Sequence, residues 1–285
     1  LLLGYVGGSH DGGLLTDTML LARADFKQHQ LTLISIPRDL WVSIPNAEAS
    51  TAGKINQLYA LGTDQRRKAE LPNHYQVDHG GLLLAQDVVS DITEQPIDYV
   101  FAINQAGLIA ALGKLGPIPV TVPYAFIDEY FPIAGEETNP CNFTPEDIAT
   151  LSATLRGFEL EKQFACRYEA LAFDAGIQEM DASTAAKFVR SRHATVGGSD
   201  FGRSQRQEAL IKGVISLLSR PTNWLKFPSL IGAVLKNVET TATAEEIVTV
   251  AQLIDDPKQR QIESYQIDQK NALWETRSRD GQYIL

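Results

Sequence analysis

Arginine is concentrated in one short stretch of the chain, residues 187–207, which reads KFVRSRHATVGGSDFGRSQRQ. The chain as a whole has a formal net charge of -10 at pH 7. A planar guanidinium group makes paired hydrogen bonds to phosphate oxygens, so clustered arginines with few acidic neighbours favour a phosphate site. The stretch contains four arginines and one carboxylate: Arg190, Arg192, Arg203, Arg206 and Asp200.

A helix is predicted to begin near Ser199 or Asp200 and to run to Ser219. Arg203 and Gln207 are four residues apart, so they share a face of this helix, and that face continues into its apolar residues. A buried guanidinium group is costly unless an anion compensates it, and a helix amino terminus favours phosphate. The alternative is a solvated helix start whose arginines pair with acidic residues elsewhere.

Arg190 and Arg192 follow a helix that is predicted over residues 181–189. They are two residues apart, so in extended backbone their side chains point the same way. Gly197 and Gly198 allow the connecting loop to fold back towards the next helix. The sequence therefore predicts that all four arginines of the stretch surround one phosphate or pyrophosphate group.

The amino-terminal half contains residues that could complete such a site. Arg38 and Asp39 follow a strong strand that ends at Pro37, and strand ends are where sites form in open α/β sheets. Lys54 and Asn56, in the segment KIN, are further candidates to donate hydrogen bonds to phosphate.

Two carboxylates near the amino terminus are candidate metal ligands. Asp17 begins a predicted strand, and Asp11 lies in the glycine-rich loop before it. Mg²⁺ is usually bound through one or two carboxylates together with substrate phosphates. Carboxylates beside clustered arginines therefore suggest a divalent cation, Mg²⁺ or Mn²⁺, bridging Asp17 and Asp11 to phosphate oxygens.

Strand and helix patterns alternate along the chain and indicate one α/β domain over residues 1–285. The runs DTMLLARA and LTLISIP, separated by a polar segment, predict a hairpin. The segment TAEE has the capping-box pattern and predicts the start of a short helix. IESYQI is predicted as a final strand, and residues 124–170 as an irregular insertion.

Composition excludes some classes of function and leaves one point open. A sequence pI near 5.0 argues against broad nucleic-acid binding, which needs an extended basic surface. The chain lacks the GxSxG, HExxH, P-loop and dinucleotide-binding motifs. Cys141 and Cys166 could be two free thiols or one disulfide, and their spacing favours neither.

Five segments, taken together and in order, carry a resemblance to a known family: TDTMLL, SIPRDLWVSIP, KINQLYALG, IDYVFAIN and VRSRHATVGGSDFGRSQRQ. In this combination the chain resembles the LytR-CpsA-Psr family over at least residues 1–220. The resemblance implies a three-layer α/β/α fold with a central mixed sheet. It also implies an extracytoplasmic protein that is anchored to the cell membrane by an N-terminal helix, which we expect to precede residue 1.

The implied activity is Mg²⁺-dependent transfer of a glycopolymer from polyprenyl pyrophosphate to the cell wall, where peptidoglycan is the acceptor. By the motif match, the arginines hold the pyrophosphate, Gln207 and Lys54 assist, and Asp17 binds the metal. Two positions depart from the family pattern. Leu15 stands where the family has arginine, and the aspartate expected near Tyr5 is absent, so Asp11 is the candidate second carboxylate.

The mechanism implied is attack of an acceptor sugar hydroxyl on the phosphorus nearest the glycan, with polyprenyl phosphate leaving. Asp39 or Asp200 is expected either to accept the hydroxyl proton or to position the arginines. Two other functions use the same site. One is hydrolysis, as a polyprenyl pyrophosphatase or phosphodiesterase, and the other is binding of a lipid phosphate or the cell wall without turnover.

Overall fold

The computed structural model of the chain describes residues 1–8, 12–47, 51–198, 200–218, 232, 236–252, 261–268, 271–279 and 281–285. The candidate metal ligand Asp11 lies outside these ranges. Asp200 opens a described helix, but its side chain is also outside the description.

A six-stranded mixed sheet forms the centre of the fold, with strand order β11-β6-β1-β2-β3-β12. β1 is parallel to β6 and antiparallel to β2, whereas β3 is antiparallel to β2 and parallel to β12. β11 pairs antiparallel with β6 at the edge. The strands are β1 (Leu2–Tyr5), β2 (Thr16–Asp25), β3 (Gln30–Ser35), β6 (Phe101–Asn104), β11 (Val238–Thr240) and β12 (Gln261–Gln266).

The remaining strands form two-stranded pairs around this sheet, β4 with β5, β7 with β10, β8 with β9 and β13 with β14. They are β4 (Trp41–Ile44), β5 (Thr51–Lys54), β7 (Ile118–Val122), β8 (Phe126–Pro132), β9 (Tyr168–Phe173), β10 (Gly176–Met180), β13 (Thr276–Arg277) and β14 (Tyr283–Ile284). The predicted final strand is β12, and the short strands β13 and β14 follow it.

The described helices connect and cover these strands. They are α1 (Leu58–Thr63), α2 (Gly80–Thr93), α3 (Gln105–Gly113), α4 (Pro145–Thr154), α5 (Phe158–Glu161), α6 (Ala182–Arg190), α7 (Asp200–Leu218) and α8 (Ala244–Gln252). The helices predicted over 181–189 and from 199 or 200 correspond to α6 and α7. The Thr243 hydroxyl and Glu246 carboxylate form the predicted capping box of α8.

Alternation along β1 and β2 directs apolar side chains to both faces of the sheet. Leu3, Met19 and Leu21 belong to a core shared with α1 and α2. The intervening Leu20 packs with Ile211 and other residues of α7 on the opposite face. Helices therefore cover both faces, which confirms the predicted α/β/α layering around a mixed sheet. The predicted hairpin is β2–β3, which turns at His29 with a φ of 50°.

The segment 124–170 is more regular than the sequence predicts. It contains β8, α4, α5 and most of β9. Pro145 occupies the first turn of α4, and the side chains of Thr144 and Asp147 form a capping box there. Cys141 and Cys166 form a disulfide with their Cα atoms 5.6 Å apart, so the structure settles the alternative that the sequence left open.

The search for a membrane span covers the described helices alone. None of them is both long enough and apolar enough to cross a bilayer.

Candidate anion-binding site

The candidate site forms where the first residues of β2, the loop after β3, the end of α6 and the first turns of α7 meet. Each element contributes a side chain at its end, where main-chain pairing no longer occupies the position. The side chains brought together are Asp17, Thr18, Arg38, Arg190, Arg192, Arg203 and Gln207.

Asp17 is the carboxylate at the centre of this cluster. Its Oδ1 accepts a hydrogen bond from Nη1 of Arg38 at 2.7 Å, and its Oδ2 lies 2.8 Å from Nη2 of Arg192. Nη2 of Arg203 donates to the main-chain oxygen of Asp17 at 3.2 Å. The prediction that the arginines are nearly unpaired within the chain is therefore corrected, because a distant carboxylate from β2 engages two of the positions assigned to phosphate binding.

The electrostatics of Asp17 keep it ionised. Burial raises its pKa, but the guanidinium groups of Arg192, Arg38 and Arg203 lower it by more, so that the pKa lies below its usual value. Three guanidinium groups facing one carboxylate leave an excess of positive charge. The cluster is consequently suited to a multiply charged anion.

Arg190, the last residue of α6, adds positive charge on one side of the cluster. Its guanidinium carbon lies 5.3 Å from the centroid of the Phe131 ring. Burial, and then the charge of Arg192, lower the pKa of Arg190. Within the part of the chain that the structure describes, Arg190 forms no salt bridge, which is the arrangement that a bound anion would complete.

Arg206 does not join the other arginines, which corrects its predicted role in substrate binding. Its side chain is fully buried. Its Nε donates to the main-chain oxygen of Phe188 at 3.1 Å, its Nη1 to that of Gly197 at 2.8 Å and its Nη2 to that of Ser191. The guanidinium group of Arg206 thus fixes the segment between α6 and α7 and is not available to phosphate.

Asp128 on β8 is a residue of this region that the sequence analysis missed. Its fully buried carboxylate accepts hydrogen bonds from the Ser191 hydroxyl at 2.7 Å and from the main-chain N–H groups of Arg192 at 3.1 Å and His193 at 3.2 Å. It therefore positions the backbone that carries Arg192. A signal existed in the sequence, because Asp128 falls on the inward-facing positions of β8, two residues after the buried Phe126.

The two glycines of the connecting segment have the predicted effect of letting it fold back. Gly197 has a φ of +65°, and a Cβ atom there would lie 1.8 Å from the hydroxyl of Tyr124. A Cβ atom on Gly202, in the first turn of α7, would lie 1.9 Å from the main-chain oxygen of Gly197. The loop therefore packs directly on the start of the helix.

Asp39 is held by two cations next to the cluster. Nζ of Lys54 lies 2.6 Å from its Oδ1, and Nε of Arg38 lies 3.4 Å from its Oδ2. Gln207, as predicted, faces the site, where its Nε2 donates to Oγ1 of Thr18 at 2.7 Å. Asn56 is buried and donates its main-chain N–H to the Arg38 oxygen at 3.3 Å.

Two cavities open on the cluster, of about 450 Å³ and about 410 Å³. The larger one, the first cavity, has Arg190 and Arg192 in its wall together with apolar residues from β6, α3 and β8. The smaller one, the second cavity, has Arg38 and Asp39 in its wall. Lys54 and Asn56 belong to neither described wall. Four residues belong to both walls: Asp17, Thr18, Arg203 and Gln207.

The donors present fit a metal ion that is shared with a phosphorylated ligand. Among the described residues there is no group of three or more histidine, cysteine or acidic side chains close enough to hold a metal by themselves. Asp17, however, stands in the walls of both cavities beside the arginines. One carboxylate that is completed by phosphate oxygens is a common Mg²⁺ arrangement.

The sequence matches the profile of the LytR_cpsA_psr family over residues 1–284. It is 23% identical over 236 residues to an Enterococcus faecalis protein named polyisoprenyl-teichoic acid–peptidoglycan teichoic acid transferase TagU, a match that covers 83% of this chain and 58% of that protein. The Bacillus subtilis protein of the same name is 22% identical, over 81% of this chain and 56% of its own length. The chain thus spans a little over half the length of these curated relatives.

Solved structures share the fold. The crystal structure of Bacillus subtilis TagV has a TM-score of 0.66 and 19% identity, and the match covers 100% of this chain and 88% of that chain. TagT bound to LI-WTA has a TM-score of 0.60 and 18% identity, over 100% of this chain and 81% of that chain. These likenesses establish the same arrangement of strands and helices.

Proposed function

The chain belongs to the LytR-CpsA-Psr family, and from this premise we propose that it transfers a glycopolymer from polyprenyl pyrophosphate to a hydroxyl group of peptidoglycan. Polyprenyl phosphate is the other product. One observation carries the proposal. The guanidinium groups of Arg38, Arg192 and Arg203 converge on Asp17, at the place where two cavities share a wall. The names of the relatives, which are transferases that act on teichoic acid and peptidoglycan, support the choice of reaction.

The first cavity binds the donor. Arg190, Arg192 and Arg203 hold the pyrophosphate through bidentate hydrogen bonds. The start of the polyprenyl chain lies along the apolar side chains that continue the same wall, among them Leu108 and Phe131. A cavity with an apolar wall and a few convergent charged groups suits an amphiphilic ligand of this kind.

Transfer needs positioning and charge neutralisation more than covalent chemistry on the protein. The acceptor oxygen attacks the phosphorus nearest the glycan, and the bond from that phosphorus to the bridging oxygen breaks. Arg192 and Arg203 stabilise the negative charge that develops on the oxygens of the leaving polyprenyl phosphate. The hydroxyl proton passes to Asp39, which Lys54 holds in place at 2.6 Å. Asp200 is the other candidate acceptor for this proton.

Asp17 would hold Mg²⁺ together with phosphate oxygens, and Asp11 is the second candidate ligand. The ion, when bound, neutralises phosphate charge and so favours attack by an oxygen nucleophile. Mn²⁺ is expected to substitute, because it also prefers carboxylate and phosphate oxygens. Removal of divalent ions with a chelator is therefore expected to stop turnover, and addition of Mg²⁺ is expected to restore it.

The same proposal includes an extracytoplasmic location, with anchoring to the cell membrane by a segment of the full-length protein outside this chain. The acceptor named in the relatives is peptidoglycan, a component of the cell wall. The Cys141–Cys166 disulfide is also typical of an oxidising compartment. Labelling of intact cells with a reagent that does not cross the membrane would test this location.

The central experiment incubates the protein with a short polyprenyl pyrophosphate, with and without Mg²⁺ and with and without peptidoglycan fragments, and separates the products by chromatography. We expect release of polyprenyl monophosphate that depends on both. Release without the acceptor would instead indicate a pyrophosphatase, and binding without release would indicate a non-catalytic module.

Arg192→Ala is expected to lower turnover by about 10²-fold or more, because charge stabilisation by one such donor has this magnitude. Its melting temperature should stay close to that of the unaltered protein, since Arg192 is partly exposed. Arg23→Ala is the matched control, because it removes an arginine whose side chain is 68% exposed and far from the site in the β2 register. If Arg192→Ala unfolds but keeps its activity per folded molecule, the assignment of the site is wrong.

A further inference from the structure

The second cavity differs chemically from the first, and the function of its outer wall is not accounted for by donor binding. It shares Asp17, Thr18, Arg203 and Gln207 with the first cavity. The rest of its wall includes a carboxylate, an amide and a phenol from the carboxy-terminal part of the chain. These residues are Gln266 at the end of β12, Glu275 before β13 and Tyr283 in β14.

The carboxy-terminal segment is attached directly to the site. The main-chain N–H of Leu285 donates to the oxygen of Asp39 at 3.1 Å, and the N–H of Trp41 donates to the oxygen of Leu285 at 3.0 Å. The Tyr283 hydroxyl donates to Oε1 of Glu275 at 3.1 Å. Because Asp39 itself lies in this wall, the segment and the reacting groups form one continuous surface.

The geometry of phosphoryl transfer places two requirements on the site. The attacking and leaving oxygens lie roughly in line, on opposite sides of the phosphorus. The leaving polyprenyl phosphate occupies the first cavity, which holds Arg190, Arg192 and the apolar wall. The nucleophile therefore has to approach from the other side of the Asp17 and Arg203 pair, which is the second cavity.

The outer wall of this cavity has the composition of a carbohydrate site. Carboxylate and amide groups such as Glu275 and Gln266 can hydrogen-bond to sugar hydroxyl and acetamido groups. Trp274, the residue before Glu275, is 87% exposed. A tryptophan presented to solvent beside convergent polar groups offers an apolar face for stacking of a sugar ring, and its N–H remains free to hydrogen-bond.

We propose that the second cavity is the acceptor subsite and that it binds an N-acetylated disaccharide of the peptidoglycan type between Trp274 and Asp39. This inference rests on the proposed function and specifies the side from which the acceptor enters. The acceptor oxygen forms its bond to phosphorus as the bond to the bridging oxygen of polyprenyl phosphate breaks. The acceptor proton moves to Asp39, so that atoms and charge balance without a further reactant.

Direct binding tests the subsite without turnover. The protein is titrated with the N-acetylglucosamine–N-acetylmuramic acid disaccharide while tryptophan emission is recorded. Desolvation of Trp274 by a stacked sugar is expected to shift the emission to shorter wavelength, and Trp274→Phe is expected to remove the shift. Titration with maltose is the control for a sugar without acetamido groups. If the disaccharide gives no shift, or the same shift in Trp274→Phe, the subsite is not there.

Kinetics test it independently. Trp274→Ala and Glu275→Gln are expected to raise the KM for the disaccharide acceptor about tenfold, while the KM for the polyprenyl pyrophosphate donor changes less than about twofold. Ile177→Ala is the matched control, because Ile177 is 75% exposed and lies on β10, outside both cavity walls. An unchanged KM for the acceptor in both variants would overturn the proposal.

Failure of the acceptor subsite and failure of the proposed function give different results. Binding of polyprenyl pyrophosphate, measured by calorimetry in the unaltered protein and in Arg192→Ala, reports on the anion site alone. Donor binding that is lost in Arg192→Ala, combined with no response of Trp274 to the disaccharide, would refute the subsite and retain the function. Absence of donor binding in the unaltered protein would refute both.

Discussion

Single residues of the arginine-rich stretch divide into two kinds that have the same chemistry and different surroundings. Arg203 and Arg206 are one helical turn apart in α7, and both are buried. Arg203 reaches the main chain of Asp17 at the site, whereas Arg206 satisfies three main-chain oxygens of the segment before α7. One arginine can therefore contribute to ligand binding, and the other contributes to folding.

Asp17 provides a prediction of pH dependence at this scale. Its pKa is lower in the folded protein than in the unfolded chain, because the guanidinium groups of Arg192 and Arg38 outweigh the effect of burial. The ionised carboxylate therefore stabilises the fold above the unfolded-state pKa, and this contribution is lost as the pH falls through the folded-state pKa. We expect Asp17→Asn to lower the melting temperature near pH 6.

The difference in melting temperature between Asp17→Asn and the unaltered protein should shrink towards about pH 3, where the carboxylate is increasingly protonated in both states. Thermal unfolding followed by circular dichroism at several pH values measures this. Glu129→Gln is the control, because Glu129 is exposed on β8 next to the buried Asp128. A difference that stays constant with pH would contradict the role given to the charge of Asp17.

At the scale of elements, β8 and the start of α7 hold the segment that carries Arg192. β8 supplies Asp128, which accepts hydrogen bonds from this segment, and α7 supplies Arg206, which donates to it. A buried donor from one side and a buried acceptor from the other satisfy main-chain groups that no strand or helix ladder covers. The position of Arg192 thus depends on two elements that do not themselves contact phosphate.

Arg206→Met tests this arrangement. Loss of the guanidinium group leaves three buried main-chain oxygens without their donor, so we expect the free energy of unfolding to fall by about 3 kcal/mol or more. Urea unfolding measures the change. Arg192→Met is the matched variant and is expected to have the opposite profile, with turnover lost and stability lowered by about 1 kcal/mol at most. Equal stability of the two variants would show that Arg206 does not fix the segment.

The disulfide provides a second prediction for an element, the region between β8 and β9. Cys141 and Cys166 are 25 residues apart and enclose α4 and α5. Cross-linking of a loop of this length is expected to contribute about 3 kcal/mol by restricting the unfolded chain. We therefore expect Cys141→Ser/Cys166→Ser to unfold at a lower urea concentration than the unaltered protein.

The control for this variant is the unaltered protein in a reducing buffer, which should unfold at the same lower urea concentration. Tyr168, beside Cys166 in the chain, lies in the wall of the first cavity together with Glu161 and Arg167. Loss of the disulfide is therefore also expected to weaken binding of the donor. Unfolding that is the same in all three samples would mean that the cross-link adds no stability.

At the scale of the whole molecule, the site joins parts of the fold that belong to different hydrophobic clusters. β2 and the loop after β3 belong to the layer with α1 and α2, whereas α6 packs with α7 and β7 in another cluster. The site itself is positive, although the chain has a net charge of -10. A ligand that contacts Asp17, Arg38 and Arg192 together therefore bridges both clusters.

A short polyprenyl pyrophosphate is consequently expected to stabilise the entire fold. At a free concentration about 100 times its Kd, a ligand that binds only the native state raises the free energy of unfolding by about 2.7 kcal/mol. We expect a single thermal transition that moves to higher temperature with ligand, and no shift in Arg192→Ala. Geraniol, which has an isoprenoid chain and no phosphate, is the control ligand. A shift that persists in Arg192→Ala would locate the binding elsewhere.

The sequence by itself determined features that depend on local periodicity. The face shared by Arg203 and Gln207 follows from the 3.6-residue repeat of α7, and the β2–β3 hairpin follows from two alternating runs around a polar turn. The ends of strands and helices also marked Asp17, Arg38 and Arg192 as candidates. These features are encoded within a few turns of chain, so neighbouring residues are sufficient to specify them.

Only the tertiary structure decided which partner each of these faces meets. Arg203 and Arg206 cannot be distinguished by their types or spacing, because their roles are set by packing against β2 in one case and against the segment before α7 in the other. The pairing of Asp17 with Arg192 connects residues 175 positions apart, which is the difference between their numbers. Cys141 pairs with Cys166 for the same reason. Long-range contacts depend on how layers pack together, and local sequence patterns contain no record of that packing.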